Sequence, residues 1–167
     1  MAGKVKPVPE AYHTITPHLV IKGADKAIEF YQKALGATVQ GGIHHTPDGK
    51  VMHAELQVGD SRIMLSDEFP GMGSASSPQT LGGTTGNLFI YTDNVDRLFD
   101  QAVKAGATVV FPLANQFWGD RYGQVKDPFG HVWALGQHVE DVAPEEMERR
   151  GREAVAQMSK AAAVGHK

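Results

Sequence analysis

The tetrapeptide Gly36-Ala37-Thr38-Val39 returns as Gly106-Ala107-Thr108-Val109, seventy positions later. Four residues alone would carry little weight, but each copy stands at the end of a helical pattern. Ala27, Ile28, Tyr31 and Leu35 share one helical face before the first copy. Val95, Leu98, Phe99, Ala102 and Val103 share one before the second. Glycine suits the left-handed residue that ends many helices, so Gly36 and Gly106 read as matched stops. Asp25 and Asp93 lie near the two helix starts, where carboxylates cap free N–H groups. The same helix end in both halves points to a duplicated unit.

Strand patterns surround each helix. One precedes the first helix at residues 15–21, and one precedes the second at 87–92. Three follow the first, at 38–43, 51–58 and 62–66, with turns at Pro47-Asp48-Gly49 and Gly59-Asp60. Three follow the second, at 108–113, 121–126 and 131–136, with a turn at Asp127-Pro128-Phe129-Gly130. Each half therefore reads β-α-β-β-β. The expected fold is α+β: two tandem βαβββ modules forming a cleft, with a C-terminal helix. A helix covers one face of each sheet, and the bare faces curve around the cleft. The expected boundaries are an N-terminal tail at 1–12, module 1 at 13–69 and a Gly/Ser/Pro linker at 70–83. Module 2 at 84–138 and a C-terminal helix and tail at 139–167 complete the chain. Pro144, Glu145 and Glu146 open that last helix, and Met147, Ala154, Val155 and Met158 give it one apolar edge.

Composition removes several function classes. The 167 residues suffice for one compact core but not for two ordinary domains. A net charge of −3 and the lack of basic runs interleaved with aromatics give no reason to expect a nucleic-acid partner. With no cysteine there is no disulfide, thiolate metal site or cysteine nucleophile. Apolar runs are too short to span a bilayer and the opening residues lack a signal-peptide stretch, so a cytoplasmic protein without membrane contact is expected. No Gly-x-Ser-x-Gly elbow is present, and no phosphate-cradling glycine loop precedes a helix.

Certain segments resemble a known family. Residues 15–21, Ile-Thr-Pro-His-Leu-Val-Ile, followed by Ala27-Ile28-Glu29-Phe30-Tyr31 and Leu35-Gly36, resemble the opening of vicinal oxygen chelate modules, the glyoxalase/bleomycin-resistance superfamily. Asp127-Pro128-Phe129-Gly130-His131 resembles the turn before their last strand, and Phe117–Gly123 is similar to the preceding stretch in a bacterial glyoxalase-like branch. The likeness spans roughly residues 13–140. It implies paired βαβββ modules, frequent homodimers, and members ranging from isomerising lyases, dioxygenases and thiol transferases to metal-free antibiotic binders.

The family's enzymes usually hold one divalent metal between modules. Aligned on the motifs, the four ligand positions fall at Thr16, Met64, Asn87 and Ala134. None is His, Asp or Glu, so no metal or other cofactor is expected at the usual place. His18, His53 and Glu55 fall on open strand faces and offer two imidazoles and a carboxylate for a displaced metal, or a metal-free acid/base pair in Glu55 and His53. Phe89 and Tyr91 share a face with Asn87 and suit a planar ligand. Trp118, Asp120 and Arg121 converge beside a strand, with Arg121 suited to clamping an anion. Two readings follow: a protein binding a small organic ligand in its cleft without the usual metal, resembling the bleomycin-resistance branch, and a lyase or isomerase using the displaced His18/His53/Glu55 site. Whether any reaction is catalysed is left open. The acidity is mild for a bleomycin binder.

Overall fold

The repeated tetrapeptide does the same work twice. Gly36 and Gly106 take left-handed conformations, φ 67° and φ 119°, and end their helices; Ala37 and Ala107 then turn inward and are buried. The computed structural model describes residues 5–73 and 75–164. Module 1 comprises β1 (His18–Ile21), α1 (Ala24–Leu35), β2 (Thr38–His45), β3 (Val51–Val58) and β4 (Ser61–Asp67). A short helix α2 (Pro78–Leu81) follows. Module 2 comprises β5 (Asn87–Tyr91), α3 (Val95–Ala105), β6 (Thr108–Asn115), β7 (Asp120–Lys126) and β8 (Val132–His138), and α4 (Pro144–Val164) comes last.

The strand orders are β1-β4-β3-β2 and β5-β8-β7-β6. In each sheet the first strand pairs parallel with the last and the other pairs are antiparallel. This is the βαβββ topology expected from the repeat. Strand alternation buries one face: Leu19, Ile21, Ala54, Leu56, Ile63 and Leu65 pack beneath α1, which contributes Ala27, Ile28, Tyr31 and Leu35. On α3, Val95, Phe99 and Ala102 are buried and Leu98 partly so; Val103, expected on the same face, lies at its margin and is exposed.

Neither helix is capped by the aspartate that its own sequence suggests. The α1 start is capped from across the sheet, where Asp67 Oδ1 accepts from the backbone N–H groups of Gly23 and Ala24 at 2.8 and 3.0 Å. Asp25 instead meets His45. At α3 the cap is Asn94, whose side chain accepts from Arg97 N at 3.1 Å, one residue beyond Asp93.

The modules share one core. Helices α1 and α3 pack side by side, and Gln101 donates to the Lys33 and Ala34 carbonyls at the end of α1. Tyr31 reaches across to module 2: its hydroxyl donates to Asp127 Oδ2 at 2.8 Å, and its ring meets Trp133 edge-on at 5.2 Å. Asp127 also accepts from Trp133 Nε1 and from the backbone of Phe129 and His131, so this buried carboxylate has four donors. Tyr31's phenol is pushed well above its ordinary value, by burial and then by that carboxylate.

The connector, expected as an open linker, carries a packed turn. Ser77 caps α2 and is fully buried, Glu68 accepts from Ser77 N and Thr80 Oγ1, and Gln79 donates to the Pro128 carbonyl. Helix α4 begins at Pro144 as expected. Arg150 ties it to Glu140, and its i,i+4 ion pairs lie along its surface. Of its expected apolar edge, Met147 and Ala154 are half-buried and Val155 is exposed; Met158's side chain lies outside the described residues. Among the described residues no helix is long and apolar enough to cross a membrane.

Candidate functional site

Strands β1 and β5 are the unpaired edges of their sheets on the module border. Two cavities lie along this border. One, about 750 Å³, is lined by His18 and Val20 from β1, Asn87 and Leu88 from β5, His131, and connector residues. The other, about 630 Å³, is lined by Thr16, Pro17 and Arg62 from module 1 and by Phe89, Ile90 and Tyr91 from module 2. Both volumes lie in the range that takes a small organic molecule.

Module 1 presents polar groups on its open face. His18 Nε2 lies 3.3 Å from Ser66 Oγ, and His53 Nε2 lies 3.2 Å from Glu55 Oε1. Burial, with the charge of His53 adding to it, holds the His18 imidazole below its ordinary value and therefore neutral near pH 7. The expected tail supplies a further residue: Tyr12 lies over this face and its hydroxyl donates to Glu55 Oε2. That bond is the main reason Glu55 titrates below the usual carboxylate range; burial opposes it, and His53 and Arg62 reinforce it. Glu55 is thus an anion whose two oxygens are already engaged.

Module 2 presents aromatic rings. Phe89 and Tyr91 stand 4.5 Å apart between centroids, and Tyr122 stacks on Phe89 at 5.6 Å with the planes 24° apart. Phe111 and Trp118 flank Tyr122 at 6.0 and 5.6 Å, and Phe117 meets Trp118 edge-on. Gly136 makes this layer possible, because a Cβ there would stand 2.7 Å from the Phe89 ring. Phe89 and Tyr91 nevertheless remain 45% and 64% exposed.

Asp120 anchors the rim of this layer. It is buried and accepts from Tyr91 Oη at 2.9 Å and Trp118 Nε1 at 3.1 Å, and it pairs with His138 Nδ1 at 3.0 Å. Burial acts to raise its pKa, but the bonds from His138, Tyr91 and Trp118 outweigh that and lower it. His138 also meets Asp141 at 2.9 Å. The register pairs Asp120 with His138 directly across β7 and β8.

Arg121 does not join the site. Its guanidinium turns to the helix side and forks onto Asp96 of α3, at 2.8 and 2.6 Å. The reason is local: Asp120 and Arg121 are successive strand residues, so their side chains leave opposite faces. His18, His53 and Glu55 share the open face of sheet 1 but do not converge. Among the described residues no group of three His, Asp or Glu is placed to hold a metal.

The four positions that match the ligand sites of the family's enzymes lie just before β1 and on β4, β5 and β8. Met64 lies opposite His18 and Glu55, Asn87 opposite Val132, and Ala134 opposite Phe89 and Gln124; Thr16 precedes β1 and bonds the His13 carbonyl. A thioether, an amide, a methyl group and an alcohol do not make a site for a hard or borderline divalent ion.

A family model described as the Glyoxalase/Bleomycin resistance protein/Dioxygenase superfamily matches residues 12–135. The chain belongs to this superfamily. Within it, an uncharacterized protein of Mycobacterium bovis, Mb0911c, is 46% identical over 136 residues, covering 80% of this chain and 89% of that one. The YjdN protein of Escherichia coli K12 is 26% identical over 144 residues, 72% of this chain and 92% of its own. Among solved structures, protein PA1353 from Pseudomonas aeruginosa superposes with a TM-score of 0.61 at 26% identity, over 77% of this chain and 99% of that one. TioX from Micromonospora sp. ML1 superposes with a TM-score of 0.57 at 21% identity, over 78% and 100%, a likeness of fold. Superfamily membership and the paired modules agree.

Proposed function

We propose that this superfamily member binds a small organic molecule with a planar apolar part in the groove between β1 and β5, without the divalent metal of the family's enzymes. The observation that carries the reading is the exposed ring pair Phe89 and Tyr91, backed by half-buried Tyr122 and Trp118, lining a cavity of about 630 Å³. Contiguous exposed rings are unfavourable in water, and a stacked ligand relieves that cost. His18 lines the neighbouring cavity and offers a polar contact there, while Asp120 holds Tyr91 and Trp118 in place. The lyase or isomerase reading draws little from this geometry. Glu55, its candidate base, is held below the usual carboxylate range and already bonded to Tyr12 and His53. The same proposal places the protein in the cytoplasm as a homodimer; the exposed Val109, Val110 and Phe111 on edge strand β6 favour a second copy there.

The test joins ligand and metal titrations. A thermal-shift screen of aromatic acids, amides and antibiotics identifies a ligand, and quenching of tryptophan fluorescence measures its affinity. Phe89→Ala and Tyr91→Ala are each expected to weaken binding about tenfold. Unchanged affinity in both variants sinks the site assignment. Stoichiometric uptake of Ni, Zn or Mn that disappears in His53→Ala sinks the metal-free reading.

A further inference from the structure

Three arginines are partly withdrawn from water: Arg62, Arg121 and Arg150. Two of them hold carboxylate forks. Arg121 grips Asp96, and Arg150 grips Glu140 through both terminal nitrogens at 2.8 Å. Arg62 does not. Its side chain is only 16% exposed, yet its one acceptor is Glu55 Oε2, met by Nη1 alone at a long 3.5 Å. Its Nε is buried without any hydrogen-bond partner, the one such side-chain atom among the described residues. Its Nη2 bonds nothing among the described residues either. The Tyr12 ring lies 5.6 Å beneath the guanidinium and supplies no acceptor.

A guanidinium removed from water needs hydrogen-bond acceptors, and a planar carboxylate matches two of its N–H groups at once. Glu55 does not provide that match, because Tyr12 already occupies Oε2 and His53 occupies Oε1. Arg62 lines the same cavity as Phe89 and Tyr91. Its other ionisable lining residues are His13, Asp60 and Tyr91, so Arg62 is its one permanent cation. Glu55 and Asp60 stand close to Arg62, so a dianion such as a phosphate monoester meets more repulsion here than a singly charged carboxylate.

We infer that Arg62 is the anion anchor of this groove and that the ligand is a small aromatic carboxylate, its ring on Phe89 and Tyr91 and its carboxylate on Arg62. The inference rests on the binding reading above and names the class of ligand. It also moves the expected anion clamp from Arg121, which Asp96 has taken, to a residue on the opposite module.

Matched pairs test it. Benzoate, cinnamate and 1-naphthoate are titrated against their primary amides by calorimetry, in the wild type and in Arg62→Gln, Arg62→Lys and Phe89→Ala. The acid is expected to bind at least about tenfold tighter than its amide. That preference should vanish in Arg62→Gln and survive in part in Arg62→Lys, with the circular dichroism spectrum and the cooperative melt of each variant reporting an intact fold. Phe89→Ala should weaken acid and amide alike. Equal binding of acid and amide by the wild type, or a preference that persists in Arg62→Gln, overturns the anchor and leaves the binding reading standing. Phenyl phosphate binding tighter than benzoate through Arg62 overturns the carboxylate assignment. Failure of every acid and amide to bind overturns both readings.

Discussion

His138 shows how much a single residue can gain from its place on a strand. It ends β8 with one nitrogen on buried Asp120 and the other on exposed Asp141. The bond to Asp141, and then that to Asp120, raises its pKa above the ordinary 6.5. A group whose pKa is raised on folding stabilises the fold fully below its unfolded value, and the gain is lost as pH rises through the raised one. The melting-temperature difference between wild type and His138→Gln should therefore be largest near about pH 6 and shrink toward about pH 9. A difference constant across that range would separate His138 from the Asp120 network. The sequence set Phe89 and Tyr91 on one face and Trp118, Asp120 and Arg121 in one segment, but its last strand pattern stops at residue 136, two short of His138, so the link from Asp120 to Tyr91 and His138 was not legible. Arg62 was just as accessible. It stands two residues before Met64, so alternation already puts it on the open face with Glu55. What alternation does not carry is which acid lies across the gap, and that decides whether Arg62 or Arg121 is left with free donors.

At the scale of elements, strand faces and helix stops were readable, while caps and bends were not. Strand β3 runs from Val51 to Val58 as its pattern indicates, since alternation is a local signal. The α1 cap, by contrast, comes from Asp67, more than forty residues away in sequence and adjacent only once β4 lies beside β1. Strand β6 shows the same limit. Its pairing with β7 shifts register between Phe111 and Ala114, where Pro112 has no N–H to give. There the Leu113 backbone presses on Gly123: a Cβ would stand 3.0 Å from Leu113 Cα and 2.7 Å from the Phe99 ring of α3. Gly123→Ala should cost about 1–3 kcal/mol, lowering Tm by about 2–4 °C per kcal/mol. Gly83→Ala, with open space around it and ordinary φ, should change stability by less than about 0.5 kcal/mol. Equal melting temperatures for the two variants would mean that the β6 bend yields freely.

For the whole molecule, the question is whether two modules behave as one. Composition allowed only one full core, and the structure builds it across the module border through Tyr31, Phe129, Trp133 and Asp127. Heat should therefore unfold the chain in one transition whose calorimetric and van't Hoff enthalpies agree. Tyr31→Phe removes one of the four donors to Asp127 and should cost about 1–2 kcal/mol without splitting that transition. Two resolved transitions in either protein would show that the border is an interface between independent units. The shared carboxylate also bears on the duplication. A fragment stopping short of residue 127 loses the acceptor of the Tyr31 hydroxyl and the rings that cover it, and one starting after module 1 loses one of the four donors to Asp127. Each copy of the unit thus completes the polar core of the other, and the doubled chain holds a bond that neither half can make alone.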